Sequence, residues 1–233
     1  MRTAPRSCRG GTAGVTRAVW RRGLSSRRTS TVDACRFWAN PLGGGAPVYF
    51  MKNLETPRYL LRRFEESDFE DVHQYGSDPK VTRYQFWGPN DETATREFIR
   101  RSIETFAPPG GDDVEFAIVD RETSRVIGGC GIHARRKPFR EFEIGWTLNR
   151  AFWRRGVATE AASALMDFAF SFRRAHRLFA LIDVENVASI ALAERLGFLR
   201  EGRQSRDTLV RGEWRDSLVY ARLSELEGYA RIR

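Results

Sequence analysis

Three cysteines and three histidines are all that this 233-residue chain offers to thiol or metal chemistry. His73, His133 and His176 show no metal-ligand spacing, so no metal is expected. Cys8 and Cys35 lie near the N-terminus, and Cys130 stands alone in the small-residue segment Val126–Ile132. That excludes a disulfide framework and points to a reducing compartment, the cytoplasm. Cys130 has no His partner signature and reads as core filler. No apolar run approaches the roughly 18 residues of a membrane span, and no secretory h-region is present, so no membrane partner is expected. Neither Gly-x-x-x-x-Gly-Lys-Ser/Thr nor Gly-x-Gly-x-x-Gly occurs, which excludes a P-loop and the dinucleotide fingerprint. The chain also lacks an internal repeat.

The net charge of +9 is unevenly held. Residues 1–50 contain nine Arg and one acid, Asp33, whereas the remainder carries 30 basic against 29 acidic residues. The bulk of the chain is therefore nearly neutral, and its basic composition is no argument for a nucleic-acid partner. Residues 1–50 lack helical or strand periodicity, are rich in Arg, Ser, Thr and Gly, and end in Pro41-Leu-Gly-Gly-Gly-Ala-Pro47. Such a composition cannot bury enough surface to fold alone. Three readings compete for it: an organellar transit segment, an RNA-binding tail, or an over-extended start with Met51 as the true beginning. The last is favoured, because domain-like sequence begins within a few residues of Met51. Residues 51–233 are expected to form one domain, long enough to bury about 70% of its unfolded surface, as a monomer or homodimer.

What is present is a mixed order of strands and helices. Strands are predicted at Tyr59–Phe64, 114–120, 126–133, 139–148 and 178–184, with turns at 121–124 and 134–138. Ser67-Asp-Phe-Glu70 reads as a capping box opening a helix to about Tyr75. A second helix is predicted from about Glu92 to Phe106. Phe198–Gly202 and Ser217–Leu223 read as a closing pair of strands around Arg211-Gly-Glu213.

The most informative stretch is Phe152-Trp-Arg-Arg-Gly-Val-Ala-Thr-Glu-Ala161. The alternating strand Glu141–Leu148 precedes it. Apolar residues then recur at helical spacing at Val157, Ala161, Ala164, Leu165, Phe168 and Phe172. Gly156 and Ala158 keep side chains off the first turn, where unpaired N–H groups and the helix dipole favour an anion such as a diphosphate. Further on, Leu178–Val184 reads as a buried strand. Asn186 is a good N-cap, Ile190, Leu192 and Leu196 give the next helix its apolar face, and Gly197 ends it.

These segments resemble the GNAT superfamily of acyl-CoA-dependent N-acetyltransferases, in particular the branch of ribosomal-protein N-terminal (alanine/serine) acetyltransferases. Trp153-Arg-Arg-Gly-Val-Ala158 is similar to the family's pyrophosphate loop. Asn186 to Phe198 matches its Asn…Gly-Phe segment, and Gly212-Glu-Trp-Arg-Asp-Ser217 looks like this branch. The resemblance covers roughly residues 54–226. It implies an α/β fold with a mixed, mostly antiparallel sheet, splayed in the middle between strands 139–148 and 178–184 and flanked by helices. Acetyl-CoA is implied as co-substrate. Its diphosphate would be held by Arg154, Arg155, Gly156, Val157, Ala158 and Thr159. Its pantetheine arm would be held by the backbone of 142–146, including Ile144 and Trp146, and by Asn186.

In many relatives the position seven after that Asn is a Tyr that protonates the leaving thiolate. Here it is Ala193, and the thiolate-stabilising role falls to Ser189. Glu143 is the candidate base, acting through water, with Asp207 as a second carboxylate. Tyr84, Phe86 and Trp87 occupy the place where relatives shape the acceptor pocket. The implied reaction is direct attack of a primary amine on the thioester. An α-amine of pKa near 8 is roughly a tenth neutral at pH 7, whereas a Lys is below about a thousandth. Weak base machinery is thus easier to reconcile with an α-amine, and the expected acceptor is a protein N-terminus or a small amine. A non-catalytic CoA-binding module, or one associated with RNA or the ribosome, is the alternative that the missing Tyr leaves open.

Overall fold

Strand side chains alternate between two faces, and Val114–Asp120 shows how that builds this protein. In the computed structural model, which describes residues 53–106 and 113–224, Val114, Phe116 and Ile118 enter one apolar layer, while Ala117 and Val119 enter another. The first layer takes Val157, Ala161, Ala162, Leu165, Met166 and Phe168 from α3 (Val157–Asp167) and its π-helical extension, and Leu192 and Ala193 from α4 (Val187–Arg195). The second takes Val72 and Tyr75 from α1 (Phe69–Gly76) and Ile99 from α2 (Glu92–Thr105). A sheet with helices on both faces results. The Arg-rich segment 1–50 lies outside the described residues.

Among the described residues there are eight strands: β1 (Leu54–Glu55), β2 (Tyr59–Arg62), β3 (Val114–Asp120), β4 (Val126–Arg136), β5 (Glu141–Leu148), β6 (Arg177–Asp183), β7 (Leu199–Val210) and β8 (Glu213–Leu223). Their order is β1-β2-β3-β4-β5-β6-β8-β7. All pairs are antiparallel except β5 with β6. The mixed, mostly antiparallel sheet expected from the sequence is thus present. So is its splay: β5 pairs with β6 only through Glu141–Arg177, Phe142–Leu178 and Glu143–Phe179. Beyond Glu143, β5 stays with β4 as far as Leu148, while β6 stays with β8. Gly128 permits the close β4–β5 approach at that end, because a Cβ there would lie 2.3 Å from the Thr147 carbonyl oxygen.

Several local expectations need correction. The capping box is Glu65 with Asp68, opening a 3-10 turn (Glu66–Asp68) before α1, and not Ser67 with Glu70. Asp68 is buried and also clasped by Arg62 at 2.7 and 2.8 Å, so one carboxylate serves both cap and ion pair. Strand β4 runs on to Arg136, into the turn expected at 134–138, because Arg135 and Arg136 bond across to Glu143 and Glu141 of β5, and the turn itself falls at Lys137–Phe139. The closing strands are longer than read. They meet at Arg211-Gly212, both with positive φ (47° and 86°), the signature of a two-residue hairpin turn.

Candidate active site

The parallel pair is what assembles the site. Parallel strands end on the same side of a sheet, so the helices that follow β5 and β6 both start there, one on each side of the opening. At the first of these starts, Asn149 caps the 3-10 turn Arg150–Phe152 by accepting the Ala151 N–H at 3.0 Å. Arg154 and Gly156 then take positive φ (60° and 78°). That conformation comes naturally to Gly156. The first bond within α3 runs from Glu160 N to the Gly156 carbonyl at 3.1 Å, so the amides of Val157, Ala158 and Thr159 precede the ladder. Val157 buries its side chain, and only its amide can serve a ligand. Arg154 and Arg155 are exposed, and the Arg155 guanidinium stacks over Phe152.

A clasp that sequence reasoning missed holds this start in place. Glu160, in the first turn of α3, accepts from Thr56 Oγ1 at 2.6 Å, Arg58 N at 2.9 Å and Arg58 Nε at 2.8 Å. Arg58 Nη1 in turn donates to the Arg155 carbonyl at 3.1 Å. Burial pushes the Glu160 carboxyl up, but the Thr56 and Arg58 donors outweigh it and leave its pKa below the usual value. The partners stand 102 residues apart, so no local pattern announces them.

On the other wall, the Asn186 carboxamide caps α4 by accepting the Ser189 N–H at 3.2 Å. The Trp146 indole N–H reaches from β5 to Ser189 Oγ at 3.2 Å. An indole can only donate, so the Ser189 hydroxyl acts as acceptor there and its own O–H is left to donate elsewhere. Ile144 is buried in the core, and its backbone lies on the edge of β5 that β6 abandons. The position of the family's Tyr, Ala193, is fully buried.

On the opposite face of β5, Glu143 is paired with Arg135 (Nη2–Oε2 2.6 Å) and enters the site as an ion pair rather than a lone carboxylate. Glu141 is clasped by Arg136 and Arg177, and the Arg136 bond leads in holding its pKa below the usual value. Nothing lies within 4 Å of a Cβ built on Gly145, so this face is open beside the splay. Asp183, at the end of β6, is held by Arg215 (Nη2–Oδ1 3.1 Å), which also meets Glu185 at 2.8 Å. Arg215 joins a cavity of about 370 Å³ between the segment linking α1 to α2 (Pro79, Arg83, Tyr84) and the β7–β8 hairpin (Val210, Arg211, Glu213). Of the three aromatics expected at an acceptor pocket, Tyr84 lines this cavity, whereas Trp87 does not and Phe86 is 77% exposed. Asp207 lies on β7, bonded to the Thr208 hydroxyl at 3.2 Å. Among the described residues no cluster of His, Cys, Asp or Glu could hold a metal ion.

The sequence profile of the acetyltransferase (GNAT) domain matches residues 58–199. The chain belongs to the GNAT acetyltransferase family. This acyltransferase is 31% identical over 176 residues to the N-acetyltransferase YnaD of Bacillus subtilis, a match that covers 74% of this chain and 98% of YnaD. It is 28% identical over 162 residues to spermidine N(1)-acetyltransferase of Escherichia coli K12, covering 68% of this chain and 82% of that enzyme. RimL, a ribosomal L7/L12 alpha-N-protein acetyltransferase solved in complex with coenzyme A, shares the fold. Its TM-score is 0.66 at 22% identity, covering 74% of this GNAT chain and 98% of RimL. The cradle at α3 and the free edge of β5 suit coenzyme A chemically: ladder-free amides and a dipole for the diphosphate, and backbone partners for the pantetheine amides. No helix among the described residues is long and apolar enough to cross a membrane.

Proposed function

We propose that this GNAT acetyltransferase moves an acetyl group from acetyl-CoA to a primary amine, either a protein N-terminal α-amine or a small amine. The observation that carries the reading is the opening of the single parallel pair, with a helix N-terminus on each side of it. Acetyl-CoA, when bound, supplies the activated acyl thioester. The amides of Val157, Ala158 and Thr159, with Gly156 as pivot and Arg154 and Arg155 beside it, hold the diphosphate. The backbone of Ile144 and Trp146 and the carboxamide of Asn186 hold the pantetheine arm. A free amide of β5 donates to the carbonyl oxygen as negative charge develops there. The Ser189 O–H donates to the departing sulfur. Glu143 takes the proton that the attacking amine loses, through water. RimL, named for an α-amine acceptor, and the spermidine enzyme support the two acceptor classes in turn.

Acetyl-CoA at about 100 times its Kd should stabilise the chain by about 2.7 kcal/mol. Differential scanning fluorimetry is expected to show that rise in Tm for the native sequence and not for Gly156→Asp, whose carboxylate would stand in the cradle at φ 78°. Thiol release on adding amines then identifies the acceptor. A well-folded chain with no acetyl-CoA response would overturn the reading.

A further inference from the structure

The start of α3 carries a difficulty for any anion bound there. Glu160 sits in the first turn, and its depressed pKa keeps it charged at neutral pH. A carboxylate at that position favours the bare helix but repels a diphosphate. Arg58 is placed to remove the repulsion. Its Nε and backbone N–H bind the Glu160 carboxylate, and its Nη1 binds the Arg155 carbonyl. These anchors fix the plane of the guanidinium and leave Nη2 over. That nitrogen lies 3.2 Å from where a Cβ on Gly156 would be, at the pivot of the cradle. The side chain remains 53% exposed, so its outer edge can be reached by a ligand. A guanidinium held on one side by a carboxylate, with a free N–H on the other, is well prepared for a phosphate oxygen.

We infer that Arg58 is a further coenzyme-binding residue of this enzyme, cancelling the charge of Glu160 and donating through Nη2 to the diphosphate. The inference rests on the acetyl-CoA reading above. The backbone N–H of Arg58 and Thr56 Oγ1 hold α3 without the guanidinium, which adds its own bonds to Glu160 and the Arg155 carbonyl and meets the ligand through Nη2. Arg58→Ala keeps the first two bonds and removes every guanidinium contact, those to Glu160 and to the Arg155 carbonyl included.

Isothermal titration of the full chain with CoA, dephospho-CoA and pantetheine tests it. Arg58→Ala should weaken CoA and dephospho-CoA equally, by at least tenfold, and leave pantetheine, which has no diphosphate, unchanged. Arg58→Ala with Glu160→Gln should regain at least threefold of that loss, because the uncompensated charge is gone. Unchanged CoA affinity in Arg58→Ala overturns the inference, as does a loss confined to CoA, which would place Arg58 on the 3′-phosphate. An equal loss for pantetheine also overturns it, by marking a general distortion of the site. If the native chain binds none of the three, the acetyl-CoA reading itself has failed.

Discussion

Ser189 shows how one residue's surroundings define what it can do. Its backbone N–H is held by Asn186 and its oxygen accepts from the Trp146 indole. The remaining polar capacity is a single O–H. A neutral hydroxyl donating to a departing thiolate is a hydrogen bond to a charged group, of about 1.5–3 kcal/mol. Ser189→Ala should therefore lower kcat by roughly 10–100-fold while the Kd for acetyl-CoA stays unchanged, measured by stopped-flow thiol release beside calorimetry. A Kd that rises in step with the fall in kcat would instead assign Ser189 to ground-state binding. Residues of this kind were legible in the sequence where a local rule governs them. Gly156 and Asn186 occupy helix starts, and the Asn186 cap joins a neighbour three positions on. The indole that fixes Ser189 was not legible, because it stands 43 residues away on another element.

Adjacent strands bring charged side chains together across the sheet, and two such pairs give stability opposite pH dependences. His133 Nε2 of β4 donates to Glu115 of β3 at 2.9 Å, and that bond raises its pKa above the ordinary 6.5. A raised pKa means stability that is fully present below pH 6.5 and is lost as pH rises through the folded value. Glu141 of β5 behaves in reverse. Arg136 holds its pKa below 4.5, so its contribution is present above pH 4.5 and is lost as pH falls through the lower folded value. Tm is expected to decline on both sides of a maximum lying between these two windows. In melts between pH 3 and 9, His133→Gln should flatten the alkaline limb and Glu141→Gln the acid limb. An unchanged limb in either variant refutes that assignment. At this scale most strands and helices could be read from periodicity, since burial follows the same alternation that the sequence shows. The errors fell where side chains override it: Asp68 recruiting Glu65 as partner, and Arg135 and Arg136 extending β4 into the first part of an expected turn.

The whole molecule is arranged around one departure from antiparallel pairing. The antiparallel pairs need no crossover, whereas the parallel pair β5 and β6 needs one, supplied by the segment that carries α3. That crossover places two helix starts beside one opening. The core clusters that surround it are built from residues between Tyr59 and Tyr220. We therefore propose that residues 51–233 hold the whole acetyltransferase domain. The chain shortened to Met51–Arg233 should show the same acetyl-CoA-dependent rise in Tm and the same thiol-release rate as the full chain. A shortened chain that fails to fold, or that folds without responding to acetyl-CoA, would show that residues 1–50 belong to the working unit.

The order of strands and helices, the small-residue start of α3 and the Asn186 cap follow from the sequence alone, because periodicity and capping depend on near neighbours. So does the near-neutral charge of the domain, which follows from counting residues. The tertiary structure decided where the splay opens, which arginine closes on Glu160, which aromatic lines the cavity and that Glu143 arrives paired with Arg135. Each of those depends on which distant segments a twisted sheet brings within about 3 Å of one another, the range of a hydrogen bond, and no periodicity in a single chain encodes that distance.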